Sequence, residues 1–436
     1  MIRSKCAWVA AFWAAASLIG CAAIDEDVAA PDKDAAVARP AAGAAQPAPA
    51  DAPGSAAAVP AAGPAETPGA TAPEALDSVV QRAGERLFND ALRVLGDARR
   101  DLVIDPFIGA NTGQQTLSSV AAGSKLAGLV AERFRHWTVR PFERKSLTSS
   151  PLLLIGTLTP VALSDAGNGA PDAYRLWLTL VDLRSGNIVA KRLDRATLAS
   201  VNAEPLPFFR DSPTWHLDRT TQAYVNSCQV QARVGERVDP LYLWRLPAAA
   251  LVHEAISAYH DKKFSQARRL FVQASEIADP DDLCVLNGRY LTSWRLGARD
   301  DAAQELKRIV ANGLASKSLP LKLLFQPGGT VMLPGADLRE QYRQWIREVA
   351  RQANAAQPCL RVVGHVSRSS AAPTSVELSQ RRAATVRWLL AQAAPASSSR
   401  FTAQGVGWRD NLIGLGHDDQ TDALDRRIEF RVVACP

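Results

Sequence analysis

The sequence predicts a multidomain chain, α/β at its start, helical in its middle and α/β again at its end, behind an N-terminal tether with no fold of its own. Three observations predict it. Residues 22–70 are nearly all Ala, Pro, Gly and small polar residues, which cannot bury enough apolar area to offset chain entropy. From Pro73 onward, apolar positions switch between helical spacing and strand alternation. Residues 246–314 carry the helical spacing alone and repeat loosely with a period of about 35 residues. A length of 436 residues with 47% hydrophobic side chains leaves room for two to four domains with real cores. The net charge of +6 comes from basic residues spread through the chain, with no dense Lys/Arg run of the kind that grips nucleic acid.

The first element is an export signal. Arg3 and Lys5 precede an apolar run from Ala7 to Gly20 that is short for a membrane-spanning helix. Its end, Leu18-Ile19-Gly20-Cys21, resembles the lipobox of bacterial lipoproteins, in which the cysteine sulfur is acylated and becomes the mature N-terminus. The resemblance implies a lipid anchor at Cys21 in the bilayer, each buried methylene adding about 0.8 kcal/mol. An ordinary signal peptide with a chance cysteine is the alternative. By the lipoprotein sorting rule that goes with the resemblance, Ala22 after the cysteine implies the outer membrane. Residues 1–20 are thus read as signal and 21–72 as a disordered tether; extended at about 3.1 Å per residue, it would reach on the order of 100 Å.

Residues 73–204 read as an α/β domain with a central sheet. Thr71-Ala72-Pro73-Glu74 has the pattern of a capping box, followed by Leu76, Val79, Val80, Ala83, Leu87, Ala91 and Leu95 at helical spacing and a stop at Gly96. A strand at Leu102–Phe107, a helix bearing Leu126, Leu129, Val130 and Phe134, and a strand at Leu152–Leu158 follow. Tyr174–Val181 and Asn187–Leu193 form a hairpin around the turn Asp182–Gly186. The "DPF" strand end, the "GTLTP" strand and the "LTLVDLRSGNIVAKR" hairpin resemble periplasmic lipoprotein domains of the FlgO, LpoB and CsgG kind. That implies contacts with other envelope proteins, a plain spacer domain being the alternative.

Residues 205–245 are a connector to which the sequence assigns no function. Residues 246–316 place Ala255, Phe264, Ala267, Phe271 and Ala274, then Tyr290, Gly297, Ala302, Leu306 and Ile309, as two helical pairs. They look like tetratricopeptide repeats, which offer either a concave binding face or a bridge between neighbours.

From 319 to 436 the order of Gly364-His365, Leu378-Ser379-Gln380-Arg381-Arg382-Ala383, Gly405-Val406-Gly407 and Arg426-Arg427-Ile428-Glu429-Phe430 resembles the C-terminal domain of the OmpA family, shared with peptidoglycan-associated lipoproteins and flagellar stator proteins. The resemblance implies a βαβαββ sandwich, opening with a strand at Leu321–Phe325, that binds peptidoglycan without breaking bonds. In the family an aspartate two residues after the histidine takes the ammonium of diaminopimelate, and the arginine of "LSxxRA" takes its carboxylate through a two-pronged fork. Arg382 holds the arginine position, in a stretch expected to open a helix; the alternative for it is a surface arginine on the first turn of that helix. The aspartate position is Ser367, with Val366 before it and Ser375 where the family has asparagine. A hydroxyl cannot balance an ammonium charge, so the departure implies weakened or altered wall binding. Glu377 is a candidate substitute acid. His365 reads as a packed strand-end residue, Arg426 and Arg427 as supports for the end of the domain with a cleft-lining role for one of them, such as Arg426, as the alternative, and Asp418, Asp419 and Asp422 as turn and cap chemistry rather than metal ligands.

By the family fold, Cys359 enters one strand and Cys435 leaves the antiparallel last strand, which implies a disulfide between them. Cys228 with Cys284 is the remaining pair in an exported chain. Nothing points to a cofactor or metal. Residues 109–116, "GANTGQQT", lack the lysine of a phosphate loop, and His253 and His260 are seven apart rather than four, so an enzyme is the least expected class. Two readings remain open: a lipoprotein tying the outer membrane to peptidoglycan while presenting partner-binding domains, or an assembly scaffold whose OmpA-like domain now contacts protein.

Overall fold

The computed structural model describes residues 73–435 except 163–169, 216, 230–231, 320 and 370–371, and only the backbone of 372–373. The export signal, Cys21 and the tether lie outside the described residues, as do Thr71 and Ala72. Among the described residues no helix is long and apolar enough to cross a membrane.

The first region is a five-stranded sheet covered on both faces. Helix α1 (Leu76–Leu95) buries Val79, Val80, Ala83, Leu87 and Ala91 along one stripe and stops at Gly96, whose φ of 68° lies in the left-handed region that glycine tolerates. Its start corrects the expected cap: the N-cap is Ala75 without a side-chain bond, and Glu74 instead takes an amide bond from Thr197 at 2.9 Å. The capping box sits one helix later, where Thr116 and Ser119 exchange bonds of 3.2 and 2.9 Å at the start of α2 (Leu117–Arg133).

Strands β1 (Arg100–Ile104), β2 (Trp137–Arg140), β3 (Leu152–Val161), β4 (Ala173–Asp182) and β5 (Asn187–Thr197) lie in the order β2-β1-β3-β4-β5, with the short helix α3 (Arg144–Leu147) before β3. Leu152 and Leu154 face α1 and α2; Leu153 and Ile155 face the other way. The run from Leu152 to Ile155 in β3 is therefore continuously apolar because both its faces are core.

The connector supplies that second face. Helix α4 (Pro207–Asp211) is followed by α5 (Arg219–Cys228), whose Tyr224 hydroxyl accepts the Gly156 amide at 3.0 Å beneath the sheet. Helix α6 (Pro240–His260) is shared by two cores: Tyr242, Leu246 and Ala250 pack on the sheet, while Leu251, Ala255 and Tyr259 enter the helical region. Helices α7 (Phe264–Ser275), α8 (Leu283–Arg295) and α9 (Arg299–Ala315) complete the two antiparallel pairs. Their shared hollow is filled from within the chain. Phe208 of α4 is fully buried there, with ring centroids 5.5 Å from Phe271 and 5.8 Å from Tyr259.

The last region runs β6 (Ser318–Leu319), α10 (Ala336–Ala356), β7 (Cys359–Gly364), α11 (Ala372–Ala393), β8 (Phe401–Gly405) and β9 (Ile428–Val433), the expected βαβαββ order, with the sheet order β6-β9-β7-β8. The opening strand is shorter and earlier than expected. Leu321 and Lys322 form only isolated bridges, to Thr214 and Ile428, because this stretch crosses toward the connector. One hydrophobic core runs without a break from α6–α9 into α10, α11 and this sheet.

Cys359 and Cys435 are joined by a disulfide, since the antiparallel register sets Cys359 opposite Val433 and brings the two Cα atoms to 5.2 Å. Cys228 and Cys284 are both free, which corrects the second pairing. Cys228 is sealed in the core between α5 and the first sheet, whereas Cys284 opens α8 and packs on the helical core.

Candidate binding site

The family-type motifs converge where α11 lies on β7 and β8, and glycine makes that approach feasible. A Cβ at Gly364 would overlap the main-chain carbonyl of Ser379, and one at Gly405 would overlap the Gln380 amide. Ser379 Oγ accepts the Gly407 amide at 2.9 Å and donates to the Val376 carbonyl at 2.8 Å. Most of the motif's glycines and its serine therefore lock helix to sheet, and "LSQRRA" lies inside α11 rather than at its opening.

Arg382 points from this helix into the protein. Its side chain is 1% exposed, and it donates to three main-chain carbonyls: Nε to Gly329 at 2.8 Å, Nη2 to Gln326 at 2.8 Å and Nη1 to His365 at 3.3 Å. The guanidinium also lies over the Phe325 ring, 5.1 Å from its centroid. Burial and the neighbouring Arg426 draw its pKa down to about 10. The surface-arginine alternative is thereby removed.

Ser367, three residues beyond β7, donates to Asp422 Oδ2 at 2.6 Å, both residues being buried. Asp422 Oδ2 also accepts the Asp418 amide at 3.1 Å, and Oδ1 accepts Arg426 Nη1 at 2.8 Å. Arg426 continues to the Asp419 carbonyl at 2.8 Å and the Phe325 carbonyl at 3.3 Å. An acid is thus present behind Ser367, but it comes from the segment before β9. Its spacing in the sequence gave no sign of this. Glu377 does not serve: its side chain is 71% exposed and lies 4.0 Å from Arg381 on the outer face of α11.

His365 is fully buried, with Nε2 3.5 Å from the Glu429 carboxylate; burial and the charge of Arg427 lower its pKa, while Glu429 pulls the other way. Residues 408–425 carry the site to the first region. Asp425 accepts the amides of Leu412, Ile413 and Gly414 at 2.7, 3.1 and 2.7 Å. Asn111 donates to the Leu412 carbonyl at 3.3 Å, and Leu415 packs into the core beneath α1. The arrangement holds the guanidiniums of Arg382 and Arg426 and the carboxylate of Asp422 at fixed positions, with the Ser367 hydroxyl on that carboxylate. Among the described residues no group of His, Cys, Asp and Glu is placed to hold a metal ion.

Residues 333–422 match the OmpA family, so the C-terminal region is an OmpA-like domain. Solved structures similar to parts of the chain include the peptidoglycan-associated lipoprotein from Burkholderia pseudomallei, at 20% identity and a TM-score of 0.22, covering 27% of this chain and 91% of that one. The periplasmic domain of Helicobacter pylori MotB gives 20% identity and a TM-score of 0.21 over 27% of this chain and 73% of that one. The LpoB C-terminal domain from Salmonella enterica gives 13% identity and a TM-score of 0.21 over 28% of this chain and 98% of that one. No curated protein is significantly similar to the chain.

Proposed function

We propose, from the OmpA-like character of residues 333–422, that this is a cell-envelope protein that contacts peptidoglycan weakly through its C-terminal domain and presents its α/β and helical regions to envelope partners. In this reading Cys21 is acylated and anchors the chain in the outer membrane, and the tether lets the folded part reach the wall. The observation that carries it is the acid behind Ser367: Asp422, supplied from another part of the chain, stands in the domain that also holds Arg382, so the two kinds of charge that suit a zwitterion are both present. Contact is weak because three of the five guanidinium donors of Arg382 already meet carbonyl oxygens, and Asp422 already meets Arg426.

A second reading is favoured by the 1% exposure of Arg382 and by the fastening of residues 408–425 to the first region. Here the OmpA-like fold is a structural part of an assembly scaffold and the cleft is closed by its own chain. Co-sedimentation of the full chain with isolated diaminopimelate-type sacculi separates the two. Binding at low salt that weakens as salt is added and that Arg382→Ala abolishes supports wall contact; a chain left in the supernatant at low salt supports the scaffold.

A further inference from the structure

Away from that cluster, a cavity of about 360 Å³ lies where α4, α8 and α10 meet the segment before β9. Its floor is apolar, built from Leu324, Leu333, Leu338, Trp345 and Leu424. Its polar wall holds Lys322, Arg295, Arg210, Asp211 and Asp337, with Arg210 paired to Asp211 at 3.2 Å. Lys322 is 3% exposed, and its Nζ donates to the main-chain carbonyls of Phe209 and, at 3.2 Å, Arg210. An ammonium carries three donors, so these two acceptors leave one unused.

The two nearby acids are committed elsewhere. Asp211 accepts Arg295 at 2.8 Å and the Tyr259 hydroxyl at 2.9 Å; Asp337 accepts Trp294 Nε1 at 2.7 Å and Gln341 at 3.1 Å. Lys322 forms no ion pair among the described residues. A buried cation with no counter-charge is costly, and an anion is what offsets it.

We propose that this cavity binds a small monocarboxylate with an apolar body, its carboxylate on the Lys322 ammonium and its apolar part against Leu338 and Trp345. One unbalanced positive charge selects a single negative one. The apolar floor rejects a ligand that is polar throughout. Burial, opposed by the more distant charge of Asp211 and assisted by Arg210, draws the Lys322 amine down to about 7, so the empty site sheds its proton near neutrality. Carboxylate binding takes that proton back up, and affinity falls as pH rises from about 6 to about 8.

The test is calorimetry on the full chain carrying Cys21→Ser, comparing sodium octanoate with 1-octanol at pH 6.5. Octanoate is expected to bind at least tenfold tighter than octanol, and Lys322→Met is expected to remove that preference. Leu338→Trp fills the cavity while leaving the lysine in place, and it is expected to abolish octanoate binding with an unchanged melting transition. The comparison of acid with alcohol and the Leu338→Trp arm stand even if Lys322→Met does not fold. Equal affinity for acid and alcohol, octanoate binding that persists in Leu338→Trp, or no heat from either ligand overturns the proposal.

Discussion

Ser367 donates its hydroxyl hydrogen to Asp422 Oδ2 at 2.6 Å, so the place where the family resemblance expects an acid is backed by an acid 55 residues further along the chain. This changes what the obvious substitution does. Ser367→Asp sets two carboxylates within hydrogen-bond distance in a buried place, and like charges there oppose each other. The single variant is expected to lose about 1–3 kcal/mol by urea unfolding. Ser367→Asp with Asp422→Ser returns the charge count to its starting value and is expected to recover at least half of that loss. Equal stability of wild type and single variant would show that the two side chains do not meet.

The disulfide between Cys359 and Cys435 closes a loop with a sequence separation of 76. Constraint of the unfolded chain over such a loop corresponds to about 4 kcal/mol in the chain-entropy model. The double variant Cys359→Ser, Cys435→Ser is therefore expected to unfold at markedly lower urea than the oxidised parent and to match the reduced parent. The free pair supplies the control, because Cys284→Ser changes no covalent link.

Gly364→Ala is expected to be among the most damaging small substitutions. Its Cβ would overlap the Ser379 carbonyl, and backbone cannot step aside without lifting α11 off β7. A loss of about 3 kcal/mol or more is expected, typical of overpacking with backbone shift. Gly128→Ala, in the exposed interior of α2 with nothing within 4 Å of the added carbon, is expected to stabilise by about 0.5–1 kcal/mol. Similar melting temperatures for the two variants would contradict the packing described.

The order of elements was legible where periodicity is strong. The stripe of α1 and the β4–β5 hairpin follow from spacing that local geometry imposes on any chain, whereas the βαβαββ order was legible only through the family resemblance. What was not legible depends on distant segments meeting. Lys322 reads as part of a strand but crosses to the connector, and Asp422 reads as turn chemistry but supplies the acid behind Ser367. The connector itself looked featureless because its large residues, Phe208 and Tyr224, bury against two different partners and share no period. Cys228 and Cys284 show the same limit: cysteine arithmetic permits the pair, and only the packing assigns them to separate cores.

Asp425 gives a pH dependence of known sign. Burial raises its pKa to about 6 from the ordinary 3.8, although three backbone amides and Arg427 pull the other way. The folded state thus holds a proton more tightly than the unfolded state. Its contribution to stability is fully present below about pH 4 and is lost as pH rises through 6, by on the order of 3 kcal/mol. Asp425→Asn does not titrate, so the difference in melting temperature between pH 4.5 and pH 7.0 is expected to shift by a few degrees relative to wild type. An identical pH dependence in both proteins would show that Asp425 is ionised throughout.

The hollow of the helical pairs is held shut by Phe208, and this decides whether that region is a groove or a bridge. The ring is fully buried, stacked on Phe271 and edge-on to Tyr259, while its own amide lies 3.4 Å from His260 Nε2. Phe208→Ala removes a ring from a packed core and is expected to cost about 3–5 kcal/mol. If the region is a bridge, the loss spreads to both neighbours, because α6 belongs to the sheet core and the helical core alike. A single cooperative urea transition, shifted as a whole, is then expected. If the helices are instead an independent groove with α4 as a removable plug, the variant melts in two steps, with residues 205–215 cleaved by protease before the OmpA-like domain unfolds. Hydrogen exchange measured at α8 and at β7 in the same sample distinguishes the outcomes, since only the bridge couples their opening.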